Sequence, residues 1–372
     1  MKLWALSAST GGGHDMRAFA LQHWWSKQGG ECEVFHPLEA SFWGYRVGCE
    51  LYNLIQRNLP IFHFAYFHFL EIASLHRNYK HMFGTKCFIQ NYERFLPDLV
   101  VSMHAHLNHG FLDLTQINKK KVSKFAVYCG ELADGCGFSR HWVNPKCDLF
   151  ISPFKEGCEA AIRRGMPRHK TLASGPLLRA PFYKNNQIIN KIKPIDGVLL
   201  EPDVPVFLLG TGANGVNDHV KVVQSIDQAN LNCQIVALCG TNSKTFNHLK
   251  KIRAKLKVKV FPLEKIDAES MAKLLKVAHF IFARPGAGLT TEAIATGCPV
   301  IFDLSGGCMP QEKNNLNFWE KRTGSLLSCS SSSQLIKILR SARTIPRLEV
   351  DMADSPEMLL RALTRLVTEN DT

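Results

Sequence analysis

Apolar residues along the chain follow two alternating periods. Short continuous apolar runs at residues 3–7, 32–35, 99–103, 125–129, 149–152 and 170–173 read as buried strands, and stretches of helical spacing lie between them. Residues 15–26, for example, place Met16, Phe19, Ala20 and Trp24 on one helical face. Strands alternating with helices predict a parallel sheet covered on both faces. Residues 181–205 contain Asn, Lys and Pro with weak periodicity and mark a break. The pattern then restarts, with strand-like runs at 206–209, 234–238, 258–261, 279–282 and 299–302. The expected architecture is α/β, two doubly wound Rossmann-like domains facing a central cleft. The expected boundaries are 1–185 for the first domain, 186–205 for a linker, 206–350 for the second domain and 351–372 for a last helix. That helix carries an apolar stripe of Met358, Leu359, Leu360, Leu363 and Val367. No repeat of 20–50 residues occurs, which excludes a solenoid.

Composition narrows the class. The chain has 372 residues, of which 45% are hydrophobic and 21% charged, enough to bury two cores and too apolar for a disordered chain. Its longest apolar run, residues 59–70, is interrupted by His63 and His68 and falls short of the ~20 residues a spanning helix needs. The first residues reach a glycine turn by Gly11, too soon for the apolar core of a signal peptide. The 12 cysteines include no CxxC pair, so they read as reduced thiols of a cytosolic protein rather than disulfides or a zinc cluster.

The net charge is +13, with 28 of the 36 aromatics and 12 of the 15 histidines in residues 1–185. A basic, aromatic half suits an anionic lipid headgroup layer or a nucleic acid, or else a Phe-rich core. No nucleic-acid recognition module is evident, so nucleic acid is not an expected partner. Residues 48–83 interleave Tyr52, Arg57, Phe62, Phe64, Phe67, Phe69, Arg77 and Lys80, and read either as an interfacial element or as a core helix.

Three glycine-rich turns follow strands of the second half: Gly210-Thr211-Gly212-Ala213-Asn214-Gly215, Cys239-Gly240-Thr241-Asn242 and Arg284-Pro285-Gly286-Ala287-Gly288. Glycine lets the backbone approach a ligand, and the helix start that follows presents unpaired N–H groups, a combination suited to a diphosphate. Neither a GxGxxG fingerprint nor a Walker lysine is present, which argues against a dinucleotide or a P-loop nucleotide site. His14 follows three glycines at a helix start, where the dipole disfavours imidazolium and keeps the ring able to accept a proton; a capping or lining histidine is the alternative. Asp15 either orients His14 or complements the helix start, the second being favoured. His104, His106 and His109 lack a carboxylate or cysteine at ligand spacing, although strand alternation would put His104 and His106 on one face; no metal is expected.

Several segments match a known family. Residues 284–293 (Arg-Pro-Gly-Ala-Gly-Leu-Thr-Thr-Glu-Ala), Gly297-Cys298-Pro299-Val300 and Pro310-Gln311-Glu312-Lys313-Asn314-Asn315 resemble the nucleotide-sugar half of the monogalactosyldiacylglycerol synthase and diacylglycerol glucosyltransferase family. That family is related to the lipid II N-acetylglucosaminyltransferase. Ser9-Thr10-Gly11-Gly12-Gly13-His14 is similar to its acceptor-side loop. Val101-Ser102-Met103-His104, Arg140-His141-Trp142 and Gly175-Pro176-Leu177-Leu178-Arg179 match in the same order.

The resemblance implies a GT-B fold, a UDP-sugar donor and a lipid acceptor at the membrane surface; with the +13 charge, the aromatics and no spanning segment, the expected attachment is peripheral, to the cytoplasmic face of an anionic membrane. It implies His14 as general base. It also implies a donor site of Gly212, Asn242, Phe261, Arg284, Gly286, Ala287, Gly288, Glu292, Gln311 and Glu312. Glu292 would take the ribose hydroxyls, or act as a dipole partner of its helix. Gln311 and Glu312 would take sugar or ribose hydroxyls. Asn242 and Phe261 would hold the base, although Phe261 also suits an ordinary strand end. Arg284, where the family often has Lys, would face the diphosphate or lie on the surface. The acceptor side would be Gly12, Gly13, His104, Glu131 and Trp142, with Glu131 where the family usually has Asp and three extra residues before Trp142. The last helix would return to the first domain. The expected activity is inverting transfer of a hexose from a UDP-sugar to a lipid hydroxyl, with diacylglycerol the expected acceptor and no cofactor or metal required. The alternatives are a UDP-sugar 2-epimerase on the same fold and a non-catalytic nucleotide- or lipid-binding protein.

Overall fold

A computed structural model describes residues 1–10, 12–58, 63–73, 76–183, 195, 197–211, 218–341, 347–348 and 356–369. The chain forms two compact units, one of Met1–Ala180, Met309–Asn314 and Ser355–Thr372, the other of Pro181–Cys308 and Asn315–Asp354. Half of residues 186–205, namely 186–194 and 196, lie outside the described residues.

The first unit is built on six parallel strands, β1 (Lys2–Leu6), β2 (Glu31–Phe35), β3 (Leu99–Ser102), β4 (Lys124–Tyr128), β5 (Leu149–Ser152) and β6 (Thr171–Ala173). Their order is β2-β1-β3-β4-β5-β6. The inner strands are buried on both faces, which is why they read as unbroken apolar runs. Much of the aromatic content goes into this core: Trp4 stacks on Phe35 at 4.8 Å and meets Phe88 at 5.2 Å. Tyr92, Phe95, Phe111, Phe125 and Phe150 complete it.

The helix Glu357–Thr368 groups with this unit and packs near β4, burying Leu359, Leu360 and Leu363. Met358 of the expected stripe is exposed instead.

The second unit carries β7 (Val206–Leu209), β8 (Gln234–Gly240), β9 (Lys259–Glu264), β10 (Phe280–Ala283), β11 (Val300–Asp303) and β12 (Leu327–Cys329). These are again parallel, in the order β12-β11-β10-β7-β8-β9. Phe207 and Phe280 meet across β7 and β10 at 4.3 Å. Gly210, just beyond β7, is fixed by this packing: a Cβ there would lie 2.8 Å from that of Ala283.

Each sheet therefore reverses its strand order once, between β1 and β3 in the first unit and between β7 and β10 in the second. The carboxyl ends of strands at such a reversal are where open α/β sheets bind ligands.

Candidate active site

The segment leaving β1 turns through Gly12, whose φ of 73° lies in the left-handed region, into the helix Gly13–Lys27. This puts His14 in the first turn, beside the end of β3. There Met103 N donates to Leu6 O at 2.8 Å, so the two strand ends are level.

The Nδ1 of His14 lies 2.6 Å from the Met103 carbonyl oxygen. A carbonyl only accepts, so Nδ1 bears the proton and Nε2 carries the lone pair. Burial, then the Arg17 guanidinium, lowers the His14 pKa to about 4, against the opposing pull of the Met103 carbonyl and Asp15. His14 is therefore a neutral base at pH 7.

Three expected acceptor-side residues surround this ring or its neighbours. His104 is buried, with its ring centroid 4.6 Å from that of His14. Its Nδ1 accepts from His106 N at 3.3 Å, so its Nε2–H donates to Thr10 Oγ1 at 3.1 Å. The Trp142 ring lies 6.1 Å from His14, and its indole N–H donates to the half-buried Glu131 carboxylate. Burial raises the Glu131 pKa to about 7, with Arg17 and Trp142 opposing. Arg17, one helical turn after His14, also donates to Gly130 O at 3.1 Å. Sequence reasoning passed over Arg17, although its i+3 spacing from His14 was a usable signal.

Asp15 makes no bond to the His14 ring, and it does more than complement the helix start, the role the sequence favoured for it. Its carboxylate accepts from Ser7 Oγ at 2.6 Å, Ser9 Oγ at 3.1 Å and His36 Nε2 at 2.9 Å.

His104 and His106 do not share a strand face, because β3 ends at Ser102 and Ala105–Leu107 is a 3₁₀ turn capped by His104. The turn nevertheless gathers histidines. His106 lies 5.5 Å from His104, 4.9 Å from His141 and 5.9 Å from His76, and His109 lies 6.2 Å from His141. Burial is the main cause that lowers all of these pKa values. Among the described residues, no three His, Cys, Asp or Glu side chains converge as a metal site.

In the second unit the turn after β10 leads into the helix Ala287–Thr296, with Gly286 as its N-cap. Gly286 has an ordinary φ of −74°, and nothing lies within 4 Å of a Cβ built on it, so the space beside this helix start is open. Ala287 and Gly288 form its first turn. Arg284 donates to Gly307 O at 3.0 Å, tying this turn to the loop after β11. Asn315 Nδ2 donates to Pro285 O at 2.8 Å and braces the same turn from the helix Pro310–Thr323.

Glu292 is only 6% exposed and stands in the second turn, which removes the reading of it as a first-turn dipole partner. Asn242 caps the helix Ser243–Ile252, its Oδ1 accepting from Thr245 N at 3.1 Å, so that oxygen already serves the backbone. Phe261 is half-buried within β9, opposite Val236 of β8. Gly212 lies outside the described residues.

Gln311 and Glu312 belong to the segment that groups with the first unit. Glu312 Oε2 accepts from Met309 N at 2.8 Å, capping its own helix, while Gln311 Oε1 is buried without a partner.

Comparison with known proteins gives a consistent picture. No protein-family profile matches the chain. It is 22% identical over 318 residues to a probable chloroplastic monogalactosyldiacylglycerol synthase of Nicotiana tabacum, covering 81% of this chain and 57% of that one. It is 25% identical over 340 residues to a processive diacylglycerol beta-glucosyltransferase of Bacillus cytotoxicus, covering 86% and 80%. The chain thus spans little more than half the length of the tobacco relative. Among solved structures, MurG of Acinetobacter baumannii aligns with a TM-score of 0.54 at 12% identity over 99% of this chain and 95% of that one. The UDP-GlcNAc 2-epimerase of Methanocaldococcus jannaschii aligns with a TM-score of 0.55 at 16% identity over 98% and 99%. The fold is GT-B, two Rossmann-like domains, and the resemblance read from the motifs extends over most of the chain.

Proposed function

We propose that this chain is a glycosyltransferase that moves a hexose from a UDP-sugar to a hydroxyl of a diacylglycerol-type lipid, inverting the anomeric centre. The observation that carries this reading is the His14–Met103 contact, which holds a neutral imidazole with Nε2 as the basic nitrogen. In the proposed step the lipid hydroxyl oxygen attacks the anomeric carbon, its proton passes to His14 Nε2, and the bond to the UDP oxygen breaks. The leaving diphosphate would meet the open helix start at Gly286, Ala287 and Gly288, with the Arg284 charge nearby. Glu292 would accept the ribose hydroxyls, Gln311 Oε1 would take a hydroxyl of the sugar, and the step invokes no metal. Glu131, with a pKa near neutrality, would hold the acceptor hydroxyl beside Trp142.

Relatives named as diacylglycerol transferases support the lipid acceptor. So does an unusual helix surface. Trp43, Val47, Leu51 and Leu54 recur at helical spacing on the helix Trp43–Asn58 and are between 44% and 66% exposed. Phe69 and Ile72 are exposed on the helix His63–Ala73. Such a stripe, on a basic chain, suits peripheral docking on the cytoplasmic face of an anionic membrane. No helix of the described residues is long and apolar enough to cross a membrane. Phe67, which the sequence left open between a membrane face and a core, is buried and belongs to the core. Phe62 and the side chains of Tyr52, Arg57 and Phe64 lie outside the described residues.

The fold does not separate a transferase from a UDP-sugar 2-epimerase, since both solved relatives align equally well. The exposed apolar stripe favours the transferase, because an epimerase acts on a soluble substrate. The test is incubation with radiolabelled UDP-glucose or UDP-galactose and vesicles containing diacylglycerol. Label entering the organic phase supports transfer. Label that stays aqueous as an epimerised nucleotide sugar contradicts it.

A further inference from the structure

We infer that Asp15 is a positioning residue for His14, closing a latch with His36 that holds the glycine turn in the shape the base requires. This rests on His14 being the general base. One carboxylate gathers the whole segment. Oδ1 accepts from Ser7 Oγ, at the buried end of β1, and from His36 Nε2, just beyond β2; Oδ2 accepts from Ser9 Oγ within the turn. Ser9 N is held in turn by Glu39 Oε1 at 2.6 Å, and Ser7 N by Phe35 O at 2.9 Å. The turn through Gly12 and Gly13 is thus fastened on both sides, with Asp15 one residue beyond His14 in the first helical turn. Asp15 makes no bond to the imidazole. It acts by fixing the backbone from which His14 reaches the Met103 carbonyl.

The charged groups facing the latch are few. His36 faces Asp15 and Glu39, which raise its pKa above the ordinary histidine value against its own burial. Asp15 is held below the ordinary carboxylate value by His36, Ser7 and Ser9, against burial. Asp15 also acts through space on His14, favouring its protonated form, while Arg17 opposes it. The latch therefore has two separable effects, one on geometry and one on the proton affinity of the base.

The test uses Asp15→Asn, His36→Phe and His36→Gln in the full chain. Misplacing a catalytic group by about 1 Å costs on the order of 10²-fold in rate. A kcat loss of about that size is expected for Asp15→Asn and His36→Phe, with the KM for the UDP-sugar unchanged. His36→Gln keeps an N–H donor and is expected to retain most of the rate. In Asp15→Asn the acid limb of the kcat/KM profile should move to lower pH, a change that mere loosening of the fold would not produce. Amide hydrogen exchange should quicken at residues 7–15 alone in Asp15→Asn and His36→Phe. Exchange that quickens throughout the first sheet, or a loop and a kcat that do not change, would overturn the latch. If the wild-type chain transfers no sugar, the functional reading fails separately, and the exchange pattern alone decides whether Asp15 holds the loop.

Discussion

The Nδ1 of His14 is bound at 2.6 Å to the main-chain oxygen of Met103, at the end of the neighbouring strand. The partner is a carbonyl rather than a carboxylate, so it fixes the tautomer without supplying a full negative charge to hold a proton on Nε2. With burial and Arg17 added, the ring stays neutral down to about pH 4. A base of this kind is ready at neutral pH but weakly basic, which suits a step in which the sugar–diphosphate bond is already breaking as the proton leaves.

A pH dependence follows from this bond. Protonation removes the Nε2 lone pair, so transfer should fall as pH drops through about 4 and should not fall between pH 8 and pH 6 on account of His14. Initial rates with brief exposure to each buffer would reveal it. A limb near pH 6.5 would mean that an ordinary, solvated histidine or another group is the base.

The histidine cluster behind the site makes a different prediction, about stability. The unfolded chain takes up protons below about pH 6.5, whereas His76 and His109 resist protonation to about pH 4 in the folded chain, and His104 and His106 are also shifted well down. The stability present above pH 6.5 is therefore lost as pH falls. An imidazole held neutral in the folded chain across that window, as His76 and His109 are, costs at most about 1.4 kcal/mol per pH unit. The urea midpoint of the first unit should drop from pH 7.5 to pH 5, and His106→Phe should flatten the drop. A midpoint that is constant over this range would contradict the burial assigned to these rings.

Glu292 should separate donor binding from chemistry. A charged hydrogen bond is worth about 1.5 kcal/mol or more, so Glu292→Gln should raise the UDP-sugar KM by about tenfold while leaving kcat within a few-fold. Equal loss of kcat at an unchanged KM would place Glu292 away from the ribose.

The apolar stripe and the core beneath it should respond oppositely. Leu51→Ser and Leu54→Ser should weaken sedimentation with anionic vesicles and leave the thermal midpoint unchanged, because both side chains are already exposed. Phe67→Ser should lower the midpoint, by about 3 kcal/mol of stability, since it empties a buried site. Vesicle binding that survives Leu51→Ser and Leu54→Ser together would assign the docking face elsewhere.

The sequence revealed the parts of the fold that are expressed as pattern. The inner strands β1, β3, β4, β5, β7, β8, β10 and β11 were legible because parallel strands buried on both faces must be apolar, whereas the edge strands β2, β6 and β9 keep exposed positions and showed only as short apolar runs. The edge strand β12 was not legible, since Leu327–Cys329 is three residues long and runs into a serine-rich stretch. The place of His14 at a helix start was legible from the three glycines before it. The partner of its ring was not, because the oxygen of Met103 is main chain and would be present with any residue there. The bond from Asp15 to His36 spans 21 residues and exists only once β1 and β2 lie side by side. The same holds for the Asn315 brace on Pro285, 30 residues away.

The most direct measurement compares sugar transfer and UDP binding in the wild-type chain and in His14→Ala. Loss of a general base typically costs ~10²–10⁴ in rate. A loss in that range, with the UDP affinity measured by calorimetry unchanged, is the predicted result. Wild-type turnover by His14→Ala would contradict the assignment and move the role of base to Glu131 or His104.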